Sequence, residues 1–327
     1  MIIATVSSLN YLYRAEVLAK SVKKYHPEAK VFVCLLENKI HPDVMKIPFF
    51  DQVLLAKDLK IPNFNTLIFK YNAGEASWAL KSKVLNYLYE NEADHDQFLY
   101  FDSDIRLYSP LNEIKSILKK QSIVLTPHLV LKGPETKYLW HGIFNAGFVG
   151  ISRTAEGHRF IKWWEYKVEN YCYKDKDLLL YDDQGWLKLV PTYFNANILR
   201  HPGYNVSFWN FHERKLGRSD PVQQYTINDK YPLRFLHYSY LSTILKDCVE
   251  SSSNNVLKTL YSKYLMELKQ TKLFHLSKEA WSYNFFNNGL PINEMCRTEY
   301  RNSMKLQLKY PNPFILSPNF FKEGHSS

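Results

Sequence analysis

Cysteine is scarce in this sequence, and no segment is apolar over a long stretch. The four cysteines, Cys34, Cys172, Cys248 and Cys296, are widely separated and form no Cys-x-x-Cys pair, which argues against a disulfide framework and a zinc site. No window approaches the ~20 apolar residues of a transmembrane helix. The sequence begins with a strand pattern rather than a basic segment followed by a long apolar stretch, so we expect no secretory signal and a cytoplasmic location.

Basic runs and the aromatic motifs of nucleic-acid-binding modules are also missing, so we expect no nucleic-acid partner. The chain is nevertheless basic, with a formal net charge of +10, which favours a phosphorylated small molecule or a lipid surface. Residues 251–327 contain ten Lys/Arg and five Asp/Glu. The aromatic residues of this segment that suggest a lipid contact are Trp281, Phe285, Phe286, Phe320 and Phe321. We therefore expect peripheral contact with the inner face of the membrane through this region, with an ordinary solvated helical appendage as the alternative.

The order of predicted elements indicates an α/β fold. Hydrophobic residues make up 46% of the sequence, enough for a large core. Residues 2–6 and 31–36 are apolar runs typical of buried strands, and a helical pattern separates them. A second helical pattern leads into another apolar run at 98–101, which repeats the parallel crossover unit. We predict a mostly parallel sheet flanked by helices in residues 1–250 and a helical C-terminal extension with a tail in residues 251–327.

Two aspartates stand directly after the predicted strand at 97–101. Asp102 and Asp104 are two positions apart, and alternate side chains of an extended segment share a face. Hard cations such as Mg²⁺ and Mn²⁺ prefer oxygen ligands and often connect carboxylates to substrate phosphates. The spacing therefore predicts a divalent-metal site. A pair of solvated turn acids is the alternative.

Other polar residues lie where ligands bind in an open parallel sheet, beyond the carboxyl ends of the strands. Thr5 and Ser7 are candidates for ligand contacts at this edge. Lys83 is a candidate for neutralising a phosphate as a compact charge. A solvated helix lysine is the alternative for Lys83.

Several short motifs occur in an order that is similar to a known family. They are Thr-Val-Ser-Ser at 5–8, Lys-Val-Leu at 83–85, Leu-Tyr-Phe-Asp-Ser-Asp-Ile at 99–105, Phe-Asn-Ala-Gly at 144–147, Asp-Gln at 183–184 and Leu-His-Tyr-Ser at 236–239. This order resembles the GT-A nucleotide-sugar glycosyltransferases. It is most like the retaining family that includes glycogenin and bacterial lipopolysaccharide galactosyltransferases, glycosyltransferase family eight. The resemblance spans residues 1–240 and says little about the remainder.

The resemblance implies a GT-A (Rossmann-like) fold and a hexosyltransferase activity. A sugar would move from a UDP-sugar donor to a glycan, a lipid-linked saccharide or a protein acceptor, with retention of configuration. Asp102, Asp104 and His237 would hold Mn²⁺ or Mg²⁺, and Ser103 would lie beside the bound nucleotide. Thr5 and Ser7 would contact its base, on which Tyr11 or Tyr13 would stack. For His237, a hydrogen-bonded core histidine is the alternative.

The same resemblance assigns catalytic roles near the sugar. Asn145 and Asp183 would hydrogen-bond its hydroxyl groups, and Gln184 would lie near the anomeric carbon. Because glutamine is a poor nucleophile, front-face attack assisted by the leaving phosphate is favoured over a covalent glycosyl-enzyme. An inverting reaction would instead need Asp182 or Asp183 as general base. The family usually has an acid after Asp-Gln, where this chain has Gly185.

Two other functions fit parts of the pattern. A sugar-1-phosphate nucleotidyltransferase shares the sheet and the cation, but it usually has a glycine-rich loop after the first strand, and residues 5–8 contain no glycine. In a non-catalytic sugar-binding or scaffold protein, the two aspartates would have a structural role. That alternative predicts no nucleotide binding.

Overall fold

The computed structural model describes residues 1–131, 133–219 and 224–322. The strands in these ranges are β1 Ile2–Ser7, β2 Lys30–Leu35, β3 Gln52–Leu55, β4 Gln97–Phe101, β5 Ile105–Leu107, β6 Ile123–Pro127, β7 Phe144–Ser152, β8 Lys174–Asp175, β9 Leu180–Tyr181, β10 Ala196–Ile198, β11 Leu216–Ser219, β12 Gln224–Ile227, β13 Tyr231–Pro232 and β14 Phe235–His237. The helices are α1 Leu12–Tyr25, α2 Phe64–Phe69, α3 Ala73–Asn91, α4 Asn112–Ile117, α5 Glu135–His141, α6 Ala155–Tyr171, α7 Val190–Tyr193, α8 Ile244–Ser251, α9 Asn255–Gln270, α10 Glu294–Asn302, α11 Met304–Lys309 and α12 Pro318–Lys322.

The largest sheet in the described residues has the strand order β10-β6-β7-β4-β1-β2-β3. β1 is parallel to β2 and β4, β2 is parallel to β3, and β10 is parallel to β6. The predicted mostly parallel sheet flanked by helices is confirmed. The sequence analysis did not anticipate that β7 is antiparallel to both of its neighbours, β4 and β6. Because of this direction, the first residues of β7 lie at the edge of the sheet where β4 ends.

The sheet is buried on both faces. All six residues of β1 and all nine of β7 are buried, as expected for strands covered by helices on either side. Alternate residues of β1 enter different cores: Ile2 packs with residues of α3 and α6, whereas Ile3 packs with residues of α1 and α4. Helix α3 begins at a capping box, in which Asn72 and Glu75 accept hydrogen bonds from each other's backbone N–H groups.

The C-terminal segment packs into the same core as the sheet. Trp281, Phe286 and Phe321 are buried in the cluster that contains Ile2, while Phe285 is exposed. The prediction that the aromatic residues of this segment face a membrane is therefore wrong for these three buried rings, because they fill the protein interior.

No helix in the described ranges combines the length and apolar character needed to cross a bilayer.

Candidate active site

The two aspartates of the predicted metal motif lie in the turn between β4 and β5. The N–H of Asp102 donates to the carbonyl oxygen of Gly147 at 2.8 Å, and the N–H of Ile105 donates to the carbonyl oxygen of Asp102 at 3.1 Å. The first contact extends the β4–β7 pairing by one residue, and the second closes the turn. Both carboxylates are consequently held at the edge of the sheet.

His237 reaches these aspartates through strand pairing. β14 is antiparallel to β5, with His237 opposite Ile105. The imidazole Nε2 lies 3.0 Å from Asp104 Oδ1 and 3.9 Å from Asp102 Oδ2. One ligand atom from each of the three residues lies within 4.8 Å of the others. Two carboxylates and one imidazole form a donor set that suits Mn²⁺ or Mg²⁺.

Asn145 orients the imidazole for a metal. Its Oδ1 accepts a hydrogen bond from the N–H of Gly147 at 3.1 Å, which identifies that atom as the amide oxygen. His237 Nδ1 lies 3.2 Å from the same oxygen and must donate to it. In the neutral imidazole, the free lone pair is then on Nε2, facing the aspartates. The site residues thus fit a divalent cation in chemistry and in orientation.

Position 147 of β7 has room only for glycine, because the His237 imidazole packs against it. A Cβ atom added there would lie 2.4 Å from His237 Cε1 and 2.7 Å from Asn145 Oδ1. Glycine therefore provides the space that brings His237 to the aspartates. The glycine of the Phe-Asn-Ala-Gly motif has a steric role in the site.

Lys81 is a site residue that the sequence analysis missed. Its ammonium group is buried and lies 3.0 Å from Asp102 Oδ1 and 3.0 Å from Asp183 Oδ2, and it donates to the carbonyl oxygen of Ala146 at 3.1 Å. Burial alone would lower the pKa of Lys81, but the two carboxylates raise it above the usual value. Lys81 is therefore a fixed positive charge that joins the metal motif to the Asp-Gln motif.

Lys83, the lysine that we predicted to bind phosphate, lies elsewhere. Its ammonium group contacts Glu165 at 3.1 Å and Glu169 at 2.6 Å on α6, and it does not line the cleft of the metal motif. The prediction for Lys83 is not supported. Lys83 is two positions after Lys81 in α3, and because an α-helix rotates by about 100° per residue, the two side chains lie on opposite sides of the helix. The cleft receives Lys81 instead.

The sequence does contain a signal that separates the two lysines. Lys81 is three, four and seven positions before Val84, Leu85 and Leu88, so it shares their apolar helix face. Lys83 does not share that face. Both lysines are buried, so burial does not separate them. Only Lys81 shares the apolar face of Val84, Leu85 and Leu88, and this would have selected Lys81.

The Asp-Gln motif closes the site from a turn before α7. The Trp164 indole N–H donates to the carbonyl oxygen of Asp183 at 3.2 Å. Gln184 Oε1 accepts from Asn145 Nδ2 at 3.1 Å, while its Nε2 donates to the carbonyl oxygen of His141. Burial raises the pKa of Asp183, against the opposing charge of Lys81. Asn145, Asp183 and Gln184 therefore lie together with the metal motif, and their catalytic roles stay predictions.

Asp182 also lines the cleft. Its backbone is left-handed, with φ of 49°, and its carboxylate lies 3.5 Å from Lys174. Burial raises the pKa of Asp182 to about 7, although the charge of Lys174 opposes this. Asp182 is thus a buried carboxyl group whose cationic partner is Lys174.

The predicted nucleotide residues have different environments. Thr5 and Ser7 are buried at the carboxyl end of β1, and Thr5 Oγ1 has no hydrogen-bond partner in the part of the chain that the structure describes. The Ser7 hydroxyl donates to the backbone of the next residue. Tyr13 packs edge-on against Phe274 at 5.4 Å, and Ser103 is half-buried in the turn of the metal motif.

Arg14 is a second residue that the sequence analysis missed. Its guanidinium lies 3.9 Å from Asp104 Oδ2 and 4.7 Å from the centre of the Tyr11 ring. Burial raises the pKa of Asp104, but the nearby His237 and Arg14 hold it below the usual value. Arg14 lies between the ring of Tyr11 and the metal motif.

Aromatic rings complete the cleft around these polar groups, which suits stacking against sugar rings. The aromatic lining residues are Trp78, Tyr138, Tyr181, Phe208, Trp209 and Tyr240.

Comparison with known proteins gives distant relatives and a clear structural likeness. No family model matches the chain. The uncharacterized Bacillus subtilis (strain 168) protein YfnD is 23% identical over 278 residues, 82% of this chain and 88% of YfnD. YfnF of the same organism is 23% identical over 244 residues, 72% of this chain and 80% of YfnF.

The likeness to a solved enzyme decides the fold. The galactosyltransferase LgtC, crystallised with donor and acceptor sugar analogues, covers 83% of this chain with 96% of its own length, at a TM-score of 0.54 and 17% identity. The chain has the GT-A fold. An active-site mutant of LgtC gives a TM-score of 0.52 with the same coverage. In this GT-A fold, the Asp102–Asp104–His237 cluster lies at the sheet edge beyond the carboxyl ends of β1 and β4.

Proposed function

We propose that this protein is a glycosyltransferase that moves a sugar from a UDP-sugar to an acceptor in a reaction that needs a divalent metal. The observation that carries the proposal is the Asp102–Asp104–His237 cluster at the carboxyl edge of a GT-A sheet. Asn145 orients the histidine, and Gln184 contacts Asn145. The crystallisation of LgtC with donor and acceptor sugar analogues supports the substrate class.

Asp102, Asp104 and His237 would hold Mn²⁺ or Mg²⁺, which would act as a Lewis acid for the charge that develops on the leaving nucleoside diphosphate. Lys81 and Arg14 each contact one of the two aspartates, so part of the carboxylate charge is balanced by the protein itself. Lys81 also keeps a positive charge beside Asp183. This arrangement binds and orients an anionic donor while limiting repulsion from the acids.

Asn145, Asp183 and Gln184 would contact the transferred sugar. Gln184 is fixed at both ends of its amide, by Asn145 and by the carbonyl oxygen of His141. A rigid amide can position the anomeric carbon, but it is a poor nucleophile, which supports front-face attack and retention of configuration. Glutamine is an active-site residue in LgtC, where one solved mutant replaces it by glutamate.

Calorimetry with UDP tests the proposal. We expect UDP to bind in the presence of Mn²⁺ and to bind at least tenfold more weakly without it. In Asp104→Ala, we expect metal-dependent binding to be lost. Because Asp104 lies beside Arg14 and His237 and its pKa is held below the usual value, we also expect a stability loss of about 1–3 kcal/mol near neutral pH. Hydrolysis of a panel of UDP-sugars would then identify the donor.

Other outcomes would favour the other functions. Binding of UTP and sugar 1-phosphate with release of diphosphate would identify a nucleotidyltransferase, and no nucleotide binding at all would favour a scaffold. The acceptor class and the cytoplasmic location stay predictions.

A further inference from the structure

Asn145 uses all four of its hydrogen-bonding positions at the centre of the site. Its Oδ1 accepts from the backbone N–H of Gly147 at 3.1 Å and lies 3.2 Å from His237 Nδ1. Its Nδ2 lies 3.1 Å from Gln184 Oε1 and 3.4 Å from His128 Nε2. An asparagine amide has two acceptor lone pairs and two N–H groups, so four partners on four sides leave it a single orientation.

His128 must accept its hydrogen bond from this amide. Because Asn145 Oδ1 is identified by its contact with the N–H of Gly147, the atom that faces His128 is the amide nitrogen, which can only donate. Nε2 of His128 is therefore the acceptor, and the neutral imidazole carries its proton on Nδ1. Burial lowers the pKa of His128 to about 3, against the opposing effect of the nearby Ile143 and Gly142 backbone, so the ring stays neutral near physiological pH.

A strand pairing and one loop hold the backbone of His128. Its N–H donates to the carbonyl oxygen of Ile143 at 2.9 Å, which continues the pairing of β6 with β7. In the loop between β10 and β11, Asn210 Nδ2 donates to the carbonyl oxygen of His128 at 3.0 Å. Ser207 Oγ of the same loop donates to the carbonyl oxygen of His237 at 2.7 Å, and the N–H of Ser207 donates to Asn210 Oδ1 at 3.0 Å. One short loop therefore holds the backbones of both histidines.

Aromatic rings hold the side chain of His128. The Trp209 ring lies 5.3 Å from the His128 ring and 5.3 Å from the His237 ring, and it is nearly perpendicular to both. Tyr138 stacks on the His128 ring at 4.8 Å, and His128 is buried. These rings restrict rotation of the imidazole, so its Nε2 stays directed at the amide of Asn145.

Stability does not explain a histidine at this position. Nδ1 of His128 is buried and has no well-aligned hydrogen-bond partner in the part of the chain that the structure describes, and an unpaired buried N–H costs free energy. A phenylalanine ring would occupy a similar volume without that cost. What histidine adds to an apolar ring is the acceptor at Nε2, which faces Asn145.

We propose that His128 is a positioning residue of the transfer reaction, which it serves by fixing the amide of Asn145. Through the amide oxygen, Asn145 keeps the proton of His237 on Nδ1 and the Nε2 lone pair of that ring toward the two aspartates. Through the amide nitrogen, Asn145 holds Gln184, the residue proposed to lie near the anomeric carbon. The role of His128 in transfer rests on the proposed function, whereas its hydrogen bond with Asn145 does not.

Donor hydrolysis at saturating Mn²⁺ tests the proposal in two variants of the full chain. His128→Phe keeps a ring but removes the acceptor, so we expect kcat to fall at least about tenfold while the donor KM changes less than about threefold. In His128→Gln, the side-chain oxygen can accept in place of Nε2, so kcat should return to within about threefold of the parent.

His26→Phe is the matched control. It also removes a buried acceptor, because His26 Nε2 accepts from the N–H of Leu111 at 2.9 Å, but His26 does not line the cleft. The control should lower the midpoint of thermal unfolding and leave kcat unchanged. Equal losses of kcat in His128→Phe and His128→Gln would overturn the proposal, and so would a kcat of His128→Phe equal to that of the parent.

Nitrogen-15 NMR of the histidine rings gives a readout that needs neither metal nor nucleotide. The ring signals that disappear in His128→Gln belong to His128, and in the parent near pH 7 they should show a neutral ring with its proton on Nδ1. A proton on Nε2 in an active parent would overturn the proposal for His128 alone. A parent that binds no UDP with Mn²⁺ would overturn the proposed function and with it the role in transfer, while a proton on Nδ1 would still support the hydrogen bond from Asn145.

Discussion

A methyl group has no room at Gly147, and this gives a direct test of the histidine position. In Gly147→Ala, the new Cβ would lie 2.4 Å from His237 Cε1, so the imidazole must move away from Asp104. We expect at least a tenfold loss of Mn²⁺-dependent UDP affinity by calorimetry and a stability loss of about 1–3 kcal/mol from overpacking.

Gly74→Ala is the matched control for this substitution. Gly74 lies in α3 with its nearest neighbouring atom at 3.4 Å, and alanine favours a helix over glycine. UDP affinity should be unchanged and stability equal or higher. Equal UDP affinity in Gly147→Ala and the parent would contradict the assignment of His237.

Substitution of Lys81, with Lys83 as the control, tests the role of the buried positive charge beside Asp102 and Asp183. In Lys81→Met, Asp102 and Asp183 lose the cation between them, so we expect loss of transfer and a stability loss of about 3–5 kcal/mol near pH 8. Lys83→Met should leave UDP affinity unchanged, because Lys83 contacts Glu165 and Glu169 instead. Denaturant unfolding would measure the stability of the variants, donor hydrolysis their activity, and calorimetry their UDP affinity.

The loss of unfolding free energy caused by Lys81→Met should depend on pH. Burial already raises the pKa of Asp183 in the parent, and removal of Lys81 raises it further. A folded-state pKa above the unfolded value means that stability is retained at low pH and lost as pH rises through the folded pKa. The variant should therefore be closer to the parent at pH 5 than at pH 8, and a cost that grows toward low pH would refute this account.

At the scale of elements, the buried Arg297 helps to tie α10 to the junction of α2 and α3. The Arg297 guanidinium donates to the carbonyl oxygens of Phe69 at 3.1 Å, Tyr71 at 2.7 Å and Tyr283 at 2.8 Å. Arg297→Met would leave these buried oxygens without a donor, so we expect a stability loss of about 3 kcal/mol or more.

Arg159→Met is the control for the loss of an arginine. Arg159 is an exposed residue of α6 that pairs with Glu156, and exposed ion pairs contribute little. The unfolding free energy of the Arg159→Met variant should stay within about 1 kcal/mol of that of the parent. Equal losses in the two variants would show that Arg297 does not hold α10 in place.

Strand pairing is the element-scale feature that assembles the site. β5 follows the metal motif directly, and β14 pairs with it so that the N–H of Tyr238 donates to the carbonyl oxygen of Asp104 at 2.9 Å. This register sets the distance between His237 and the aspartates. The antiparallel β7 similarly delivers Asn145 and Gly147 to the same edge.

At the scale of the whole molecule, the C-terminal segment and the sheet share one core. Trp281 donates through its indole N–H to the carbonyl oxygen of Leu36 at 2.9 Å, and Phe321 stacks on Phe69 with ring centres 5.9 Å apart. Deletion of residues 251–327 would expose the surfaces that these rings cover. We expect the 1–250 fragment to be insoluble or to lack a cooperative thermal transition, measured beside the full chain.

A soluble 1–250 fragment with a cooperative transition would contradict this expectation. In that case, the boundary predicted at residue 250 would separate two independently folding units. The packing of the two segments in one cluster argues for a single cooperative unit.

The sequence by itself determined the α/β class, the buried strand at β4 and the position of the two aspartates at its end, whereas the Asp-Gln and Phe-Asn-Ala-Gly motifs were recognised through the resemblance to a known family. These are local properties: apolar residues repeat with the period of a strand or a helix, and a strand end places its neighbours at a sheet edge. The buried Lys81 also leaves a local trace, since it shares a helix face with leucine and valine.

Only the tertiary structure decided which distant segments meet. Nothing in the local pattern states that β7 is antiparallel, that β14 pairs with β5, or that the aromatic rings of the C-terminal segment fill the core rather than face lipid. The periodicity of a segment shows which of its faces is apolar, but the partner of that face depends on strand direction, register and the surfaces left uncovered by the rest of the chain. For the same reason, His128 could be placed beside Asn145 only after the fold had shown that β6 pairs with β7.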